Sequence, residues 1–161
     1  WYLERESQWL RYHQRLVDLA ADLRLTEVIT WHGRVMDQHD VARLLQLSDA
    51  GVLPYDTGAA ENNGAFAAMA HYGVPTVSTR GDRSVHMESQ DIAEFVDPTA
   101  EGITMGLRRL IDDHARRDLL SKRIAEWAER RSWERTGAAY ADLLRGTADP
   151  TVNRPDHVEV V

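Results

Sequence analysis

The chain has 161 residues, 43% hydrophobic and 28% charged, which is enough for one domain with a real core but not for a complete two-domain enzyme. Nineteen Lys and Arg against 26 Asp and Glu give a formal net charge of −7, which argues against a general nucleic-acid surface. The absence of cysteine excludes disulfides, a Cys-based zinc site and a thiol nucleophile, and favours the cytoplasm. The expected location is cytoplasmic, with the inner face of the membrane as the other option. No apolar run approaches the roughly 20 residues that span a bilayer. Because the chain begins with Trp1 and not Met, we expect it to be part of a longer protein.

Helical and extended patterns alternate along the chain. Apolar residues three or four apart predict helices over 7–23, 40–46, 64–71, 100–114, 116–131 and 133–144. Short β-branched or apolar runs predict strands over 28–32, 50–54, 74–79 and 92–96. We expect Asp40 and Thr99 to cap the helices that begin beside them, and residues 80–90 to form a polar loop. Residues 146–161 are expected to be a flexible tail or linker.

This alternation predicts the fold class. Strands and helices joined by short connections are typical of an α/β domain with a doubly wound, Rossmann-like parallel sheet and helices on both faces. In such a sheet ligands bind outside the carboxyl ends of the strands, where loops lead into helix N-termini with free N–H groups. The loops expected at that edge are His32 to Arg34, Tyr55 to Gly64, Ser78 to Arg83, and the residues around Asp97.

The loop that ends at Gly64 is the most informative of these. Glu61, Asn62 and Asn63 precede Gly64, which leads directly into an alanine-rich helix. A glycine at a helix entry lets a ligand come close to the backbone, and first-turn N–H groups suit a phosphate or diphosphate. A carboxylate repels phosphate, so the natural partner of Glu61 is a hydroxyl-bearing group such as a sugar. A structural helix entry with solvated polar residues accounts for the same loop without a ligand.

Several blocks of the chain resemble one protein family. They are Ser48 to Pro54, the Glu-x-x-Gly step at 61–64, the Ala-Met-Ala-His-Tyr-Gly-Val-Pro-Thr-Val run at 68–77, and Ser132 to Glu134. In this order they are similar to the C-terminal domain of GT-B glycosyltransferases, especially family 4, over about residues 19–144. The resemblance implies that residues 1–145 are an N-terminally incomplete donor domain, the C-terminal half of a GT-B fold.

The function implied by this resemblance is hexosyl transfer. Such a domain binds a nucleoside diphosphate sugar as donor substrate, with no metal or other cofactor. The sugar then passes, usually with retention, to an acceptor held by a separate N-terminal domain. Without that domain, the chain alone is expected to be an inactive fragment.

The resemblance also assigns residues by position. Glu61 corresponds to the first acidic residue of the family's paired-glutamate motif, which contacts the donor sugar. The place of the second glutamate, which holds the ribose hydroxyls in the family, is taken by Ala67, and the family's basic pair for the diphosphate is absent. The other positions implied to bind the donor are Gly33 and Arg34 near the base, the amides of Asn63, Gly64 and Ala65 at the diphosphate, and Thr79 to Gly81 along the cleft.

Further candidates follow from their position beside the expected strand ends. Arg80 and Arg83 can grip phosphate oxygens, and Arg80 could assist the departing phosphate; the alternative is that both are surface arginines of an arginine-rich chain. His32 could donate a hydrogen bond to the donor or could be structural, and Asn62 adjoins the sugar-binding position. The histidines show no spacing on one helix face that predicts a metal site.

Two other functions fit the same pattern. With Ala67 in place of a glutamate, the domain could be a non-catalytic, degenerate module that binds a nucleotide sugar or a protein partner. A GT-B nucleotide-sugar epimerase has the same domain layout, although none of its own residues is identified. Neither alternative implies a nucleic-acid partner or a transmembrane segment.

Overall fold

The computed structural model describes residues 2–32 and 37–146, which form a mixed α/β structure. The chain divides into two units, one that ends at Asp40 and one that begins at Val41. In chain order the elements are α1 (Tyr2–Asp22), α2 (Gln38–Gln46), β1 (Gly51–Leu53), α3 (Gly64–His71), β2 (Thr76–Thr79), α4 (Val85–Glu88), β3 (Glu94–Val96), α5 (Ala100–Asp112), α6 (His114–Arg130) and α7 (Trp133–Leu144).

The second unit is built on a three-stranded parallel sheet with the strand order β1-β2-β3. Leu53 pairs with Ser78 and Ser78 with Phe95, so these three side chains share one face of the sheet. Leu53 and Phe95 pack in one apolar cluster with Phe66 of α3 and Trp127 of α6. Helices α3 and α6 therefore flank this face.

A second cluster involves the opposite side chains of the same strands. Val77 of β2 and Val96 of β3 pack with Leu110 of α5. Gly106 lets α5 lie close to the sheet, because a Cβ there would stand 2.8 Å from Val77 Cγ1 and 2.9 Å from Val96 Cγ1. The structure thus confirms a parallel α/β arrangement in which helices flank the sheet.

Helices α3 and α6 run in opposite directions where they pack. Ser121, in the first half of α6, donates a hydrogen bond of 2.7 Å to the carbonyl of Gly73 after the end of α3. Near the start of α3, Phe66 makes an edge-to-face contact with Trp127, late in α6, at 5.5 Å between ring centroids. The C-terminal end of α6 therefore lies beside the N-terminal end of α3.

The strand predicted over residues 28–32 is wrong. Residues 26–28 form a turn, and residues 29–32 adopt no regular structure. The N–H groups of Val28 and Ile29 both donate to the carbonyl of Leu25, at 3.0 and 3.1 Å, so they are not available for a sheet ladder. Val28 is 76% exposed, whereas a buried strand requires a covering layer and a paired neighbour.

Other boundaries needed smaller corrections. Thr99 caps α5 as predicted, since its hydroxyl accepts a hydrogen bond from the Gly102 N–H. Asp40 does not cap α2, which begins two residues earlier; the Asp37 carboxylate accepts hydrogen bonds from the His39 backbone and ring, which lower the pKa of Asp37. The loop predicted over 80–90 contains α4. Residues 147–161 of the predicted tail lie outside the described residues.

No helix within the described ranges combines the length and the apolar character needed to cross a bilayer.

Candidate functional site

The loops that follow β1 and β2 are joined at the carboxyl edge of the sheet. The Thr79 hydroxyl accepts a hydrogen bond from the Tyr55 N–H at 2.8 Å and donates one to the Tyr55 carbonyl at 2.5 Å. The Arg83 N–H donates to the Thr57 carbonyl at 3.0 Å. The buried hydroxyl of Thr79 thus ties the two loops together, and its predicted position along a cleft stays a prediction.

Two glycines allow these loops to touch. A Cβ at Gly81 would lie 2.2 Å from the carbonyl carbon of Thr57, and Gly58 has a φ of +77°. Ser84 lies against Gly58 as well, since a Cβ at Gly58 would stand 2.7 Å from its hydroxyl oxygen, which accepts a hydrogen bond from the Gly81 N–H at 2.9 Å. Gly81 therefore allows close packing of the two loops, and its predicted position along a cleft stays a prediction.

The entry to α3 is organised by Asn63. Its side-chain oxygen accepts hydrogen bonds from the Phe66 N–H at 2.9 Å and from the Tyr55 hydroxyl at 3.1 Å. Its own N–H donates to the Ala60 carbonyl at 2.9 Å, so the predicted use of the Asn63 amide for a diphosphate is not available in this conformation. The N–H groups of Gly64 and Ala65 have no partner among residues 2–32 and 37–146.

Gly64 has open space in front of it. A Cβ built there would meet no atom within 4 Å, and both Gly64 and Ala65 are exposed. The free first-turn N–H groups of α3 therefore belong to exposed residues, at the end of the helix where the dipole adds partial positive charge. Asn62 lies in the exposed turn before this helix.

Glu61, in the same turn, is held by three side chains from other elements. Its Oε1 accepts a hydrogen bond of 2.8 Å from Arg131, at the end of α6. His86 Nε2 and Gln90 Nε2 both lie 3.4 Å from the same oxygen. No sequence pattern predicts the Arg131 contact, because the two residues are separated by 70 positions.

Arg131 is itself supported from below. Its guanidinium carbon lies 4.4 Å from the centroid of the Trp127 ring, within the range of a cation–π contact. Trp127 is buried and packs edge-to-face on Phe66 in the first turn of α3. A continuous set of contacts thus joins the first turn of α3 to the carboxylate of Glu61.

The two arginines predicted after β2 differ in their surroundings. Arg80 Nε lies 3.4 Å from Glu88 Oε2, and its Nη1 lies 3.4 Å from Asp97 Oδ1. Its charge is therefore already balanced by two carboxylates. The exposed guanidinium of Arg83 has no partner within the described part of the chain.

The remaining candidates belong to a different part of the chain. Gly33 and Arg34 lie outside the described residues. His32 is exposed in the first unit, where it lines a cleft of about 240 Å³ with Trp9, Tyr12, His13, Leu16, Thr30 and Trp31. The loops that follow β1, β2 and β3 are the ones that the structure brings together.

The described residues contain no group of three or more His, Asp or Glu side chains arranged to hold a metal ion. The chain matches no protein-family model, and a search of curated proteins finds no significant relative.

Proposed function

We propose that this chain is the donor-binding, C-terminal half of a GT-B glycosyltransferase, with a doubly wound fold, which binds a nucleoside diphosphate sugar for hexosyl transfer. The observation that carries the proposal is the pair of unpartnered N–H groups at Gly64 and Ala65, next to Glu61 at the carboxyl edge of a parallel sheet. A diphosphate needs donors and positive potential, and a sugar needs a hydroxyl acceptor. This edge offers both within a few residues.

The diphosphate would sit at the start of α3. The amides of Gly64 and Ala65 would donate to phosphate oxygens there, and the exposed Arg83 would supply a full positive charge. Arg80 would contribute only after its contacts with Glu88 and Asp97 rearrange, because both carboxylates compete with phosphate. On departure of the nucleotide, these groups would stabilise the charge that develops on the leaving phosphate.

The sugar would lie against Glu61. Its carboxylate can accept hydrogen bonds from the hydroxyls of a hexose and so fix the orientation of the ring before transfer. The acceptor would come from a separate N-terminal domain.

The test compares two glycine substitutions that have the same structural freedom. A Cβ at Gly64 and a Cβ at Gly137 both meet nothing within 4 Å, so Gly64→Ala and Gly137→Ala should each fold normally. We expect Gly64→Ala to weaken binding of the preferred nucleoside diphosphate about tenfold, since the methyl group blocks close approach to the amides, whereas Gly137→Ala leaves it unchanged. Equal affinity in both variants, measured by calorimetry, would contradict the proposal.

A second candidate is a non-catalytic module without a nucleotide ligand. It is favoured by the pairing of Arg80 with Glu88 and Asp97, which uses the charge that a phosphate would need. This candidate predicts that UDP, GDP, ADP and dTDP all fail to bind the full native protein. Binding of any one of them with a clear preference rejects it.

A further inference from the structure

The Arg131 contact suggests a role that the position of Glu61 in the sequence does not reveal. We infer that Arg131 is a positioning residue for the sugar subsite: it binds one oxygen of Glu61 and leaves the other to accept hydrogen bonds from the hydroxyls of a neutral sugar. The inference rests on the proposed function, since it concerns how the same subsite recognises the sugar.

The two oxygens of the Glu61 carboxylate have different surroundings. Arg131, His86 and Gln90 all approach Oε1 of Glu61, with Arg131 the nearest at 2.8 Å. Oε2 has no partner among the described residues. A carboxylate oxygen is an acceptor only and offers two lone-pair directions, so Oε2 can take one or two hydroxyl donors.

The Arg131 side chain is held in place by its contact with Trp127. The Arg131 side chain is 36% exposed, and that of Glu61 is 39% exposed, so an isolated pair of this kind would have little preference for one geometry. Stacking of the guanidinium over Trp127 restricts it, and Trp127 is fixed by Phe66 and by burial in the core. The buried Trp127 side chain therefore holds the Arg131 guanidinium in the position from which it donates to Glu61.

The residues that support Arg131 are connected to the start of α3. Phe66 lies in the first turn of α3, whose free amides are proposed to bind the diphosphate. Trp127 packs on Phe66, and Arg131 packs on Trp127. The first turn of α3, which is proposed to bind the diphosphate, therefore also helps to orient Glu61. The distance between the two subsites is thereby fixed by packed side chains and not by the loop alone.

The charges indicate the class of sugar. Arg131 is the one permanently charged cation that contacts Glu61 within the described ranges, and its charge is already paired with that carboxylate, so none is left for a second carboxylate. A uronic acid directed at Oε2 would face uncompensated like charge, whereas a neutral hexose supplies only hydroxyl donors. We therefore expect a neutral sugar to be preferred.

The test measures what the sugar adds to binding. Calorimetry on the full native protein gives the ratio of affinities for UDP-glucose and UDP, and the same ratio for GDP-mannose and GDP, ADP-glucose and ADP, and dTDP-glucose and dTDP. For the nucleotide that the wild-type protein binds most tightly, Arg131→Met should lower this ratio about tenfold, as expected for loss of a charged hydrogen bond. The affinity for the bare diphosphate should change little. A general structural defect would weaken both ligands.

Two further variants complete the test. Arg130→Met removes the neighbouring guanidinium, which has no partner in the described ranges, and should leave the ratio unchanged. If Arg131→Met does not fold, Arg131→Lys replaces it, because the ammonium keeps the charge but lacks the fixed fork of guanidinium donors, and it should still lower the ratio.

The outcomes separate this inference from the function on which it rests. An unchanged ratio in Arg131→Met or Arg131→Lys, with normal binding of the bare diphosphate, overturns the role of Arg131 and leaves the proposed function in place. If the wild-type protein binds none of the four pairs, the proposed function is overturned, and the role of Arg131 is overturned with it.

Discussion

At the residue scale, the Thr79 hydroxyl connects the loops that follow β1 and β2. Thr79 is only 1% exposed, and it satisfies both the N–H and the carbonyl of Tyr55. Thr79→Val keeps the shape of the side chain but removes both hydrogen bonds, so we expect a loss of about 2 kcal/mol in the free energy of unfolding. Thr79→Ser keeps the hydroxyl and should lose less. Urea denaturation measures both, and equal stability of Thr79→Val and the wild type would show that the tie is not needed.

The close contact between the backbones of Gly81 and Thr57 leaves no room for a side chain at Gly81. Gly81→Ala would force a Cβ to within 2.2 Å of the carbonyl carbon of Thr57, so the backbone must shift, at a cost of about 1–3 kcal/mol. Gly137→Ala, in the open middle of α7, is the matched control and should raise stability by about 0.5–1 kcal/mol, since alanine favours helix. Thermal melting of the two variants checks this, and a Gly81→Ala protein as stable as the wild type is the contrary result.

The candidate site shows how far single residues could be predicted. Glu61 and Gly64 are candidates from the sequence because a carboxylate and a glycine stand at the start of a small-residue helix, a pattern that is local in sequence. Their partners were not, because Arg131 reaches Glu61 only through the packing of α6 on α3. The sequence also could not show that Thr79 and Gly81 hold loops together, since this depends on their distance from Tyr55 and Thr57.

At the scale of elements, α3 depends on its N-terminal cap. Asn63→Ala removes the acceptor of the Phe66 N–H and of the Tyr55 hydroxyl, so it should cost about 1 kcal/mol in the free energy of unfolding. Tyr55→Phe removes only the hydroxyl bond and should cost less. Guanidinium unfolding of the two variants distinguishes them, and a larger loss for Tyr55→Phe would show that the helix cap is not the main role of Asn63.

The elements themselves were predicted unequally. Helices α3 and α7 begin and end at the predicted residues, and Asn63 and Ser132 cap their first turns. The run at 28–32 has strand-like composition, but composition supplies neither a paired neighbour nor a covering layer, and local hydrogen bonds to Leu25 formed instead. Helix α4 was missed because a four-residue helix is too short to show an apolar period.

At the scale of the whole second unit, an ion-pair network joins β3, α5 and α6. Glu94 is buried, with its side chain 7% exposed, and lies 2.6 Å from Arg116 Nε and 3.4 Å from Arg109 Nη1. Arg116 also binds both oxygens of Asp91, and Arg123 contacts Asp91 as well. The network compensates a charge that β3 would otherwise carry into the interior.

Loss of Arg116 should therefore destabilise the unit. Arg116→Met leaves Glu94 with only the more distant Arg109, and we expect a loss of about 3 kcal/mol in the free energy of unfolding. Arg108→Met, an exposed position on α5 without a partner among the described residues, is the control and should change stability little. Chemical denaturation followed by circular dichroism measures both. Similar stability of the two variants would mean that Glu94 is not dependent on Arg116.

The edge formed by Glu61 and the start of α3 is proposed to bind a nucleoside diphosphate sugar. The most direct test is calorimetric titration of the full native protein with UDP, GDP, ADP and dTDP and with their sugar conjugates, in parallel with Glu61→Ala. We predict binding of one nucleotide in preference to the others, and a loss of affinity in Glu61→Ala that is larger for the sugar conjugate than for the bare diphosphate. Failure of every nucleotide to bind, or an equal loss for both ligands in Glu61→Ala, would contradict this account.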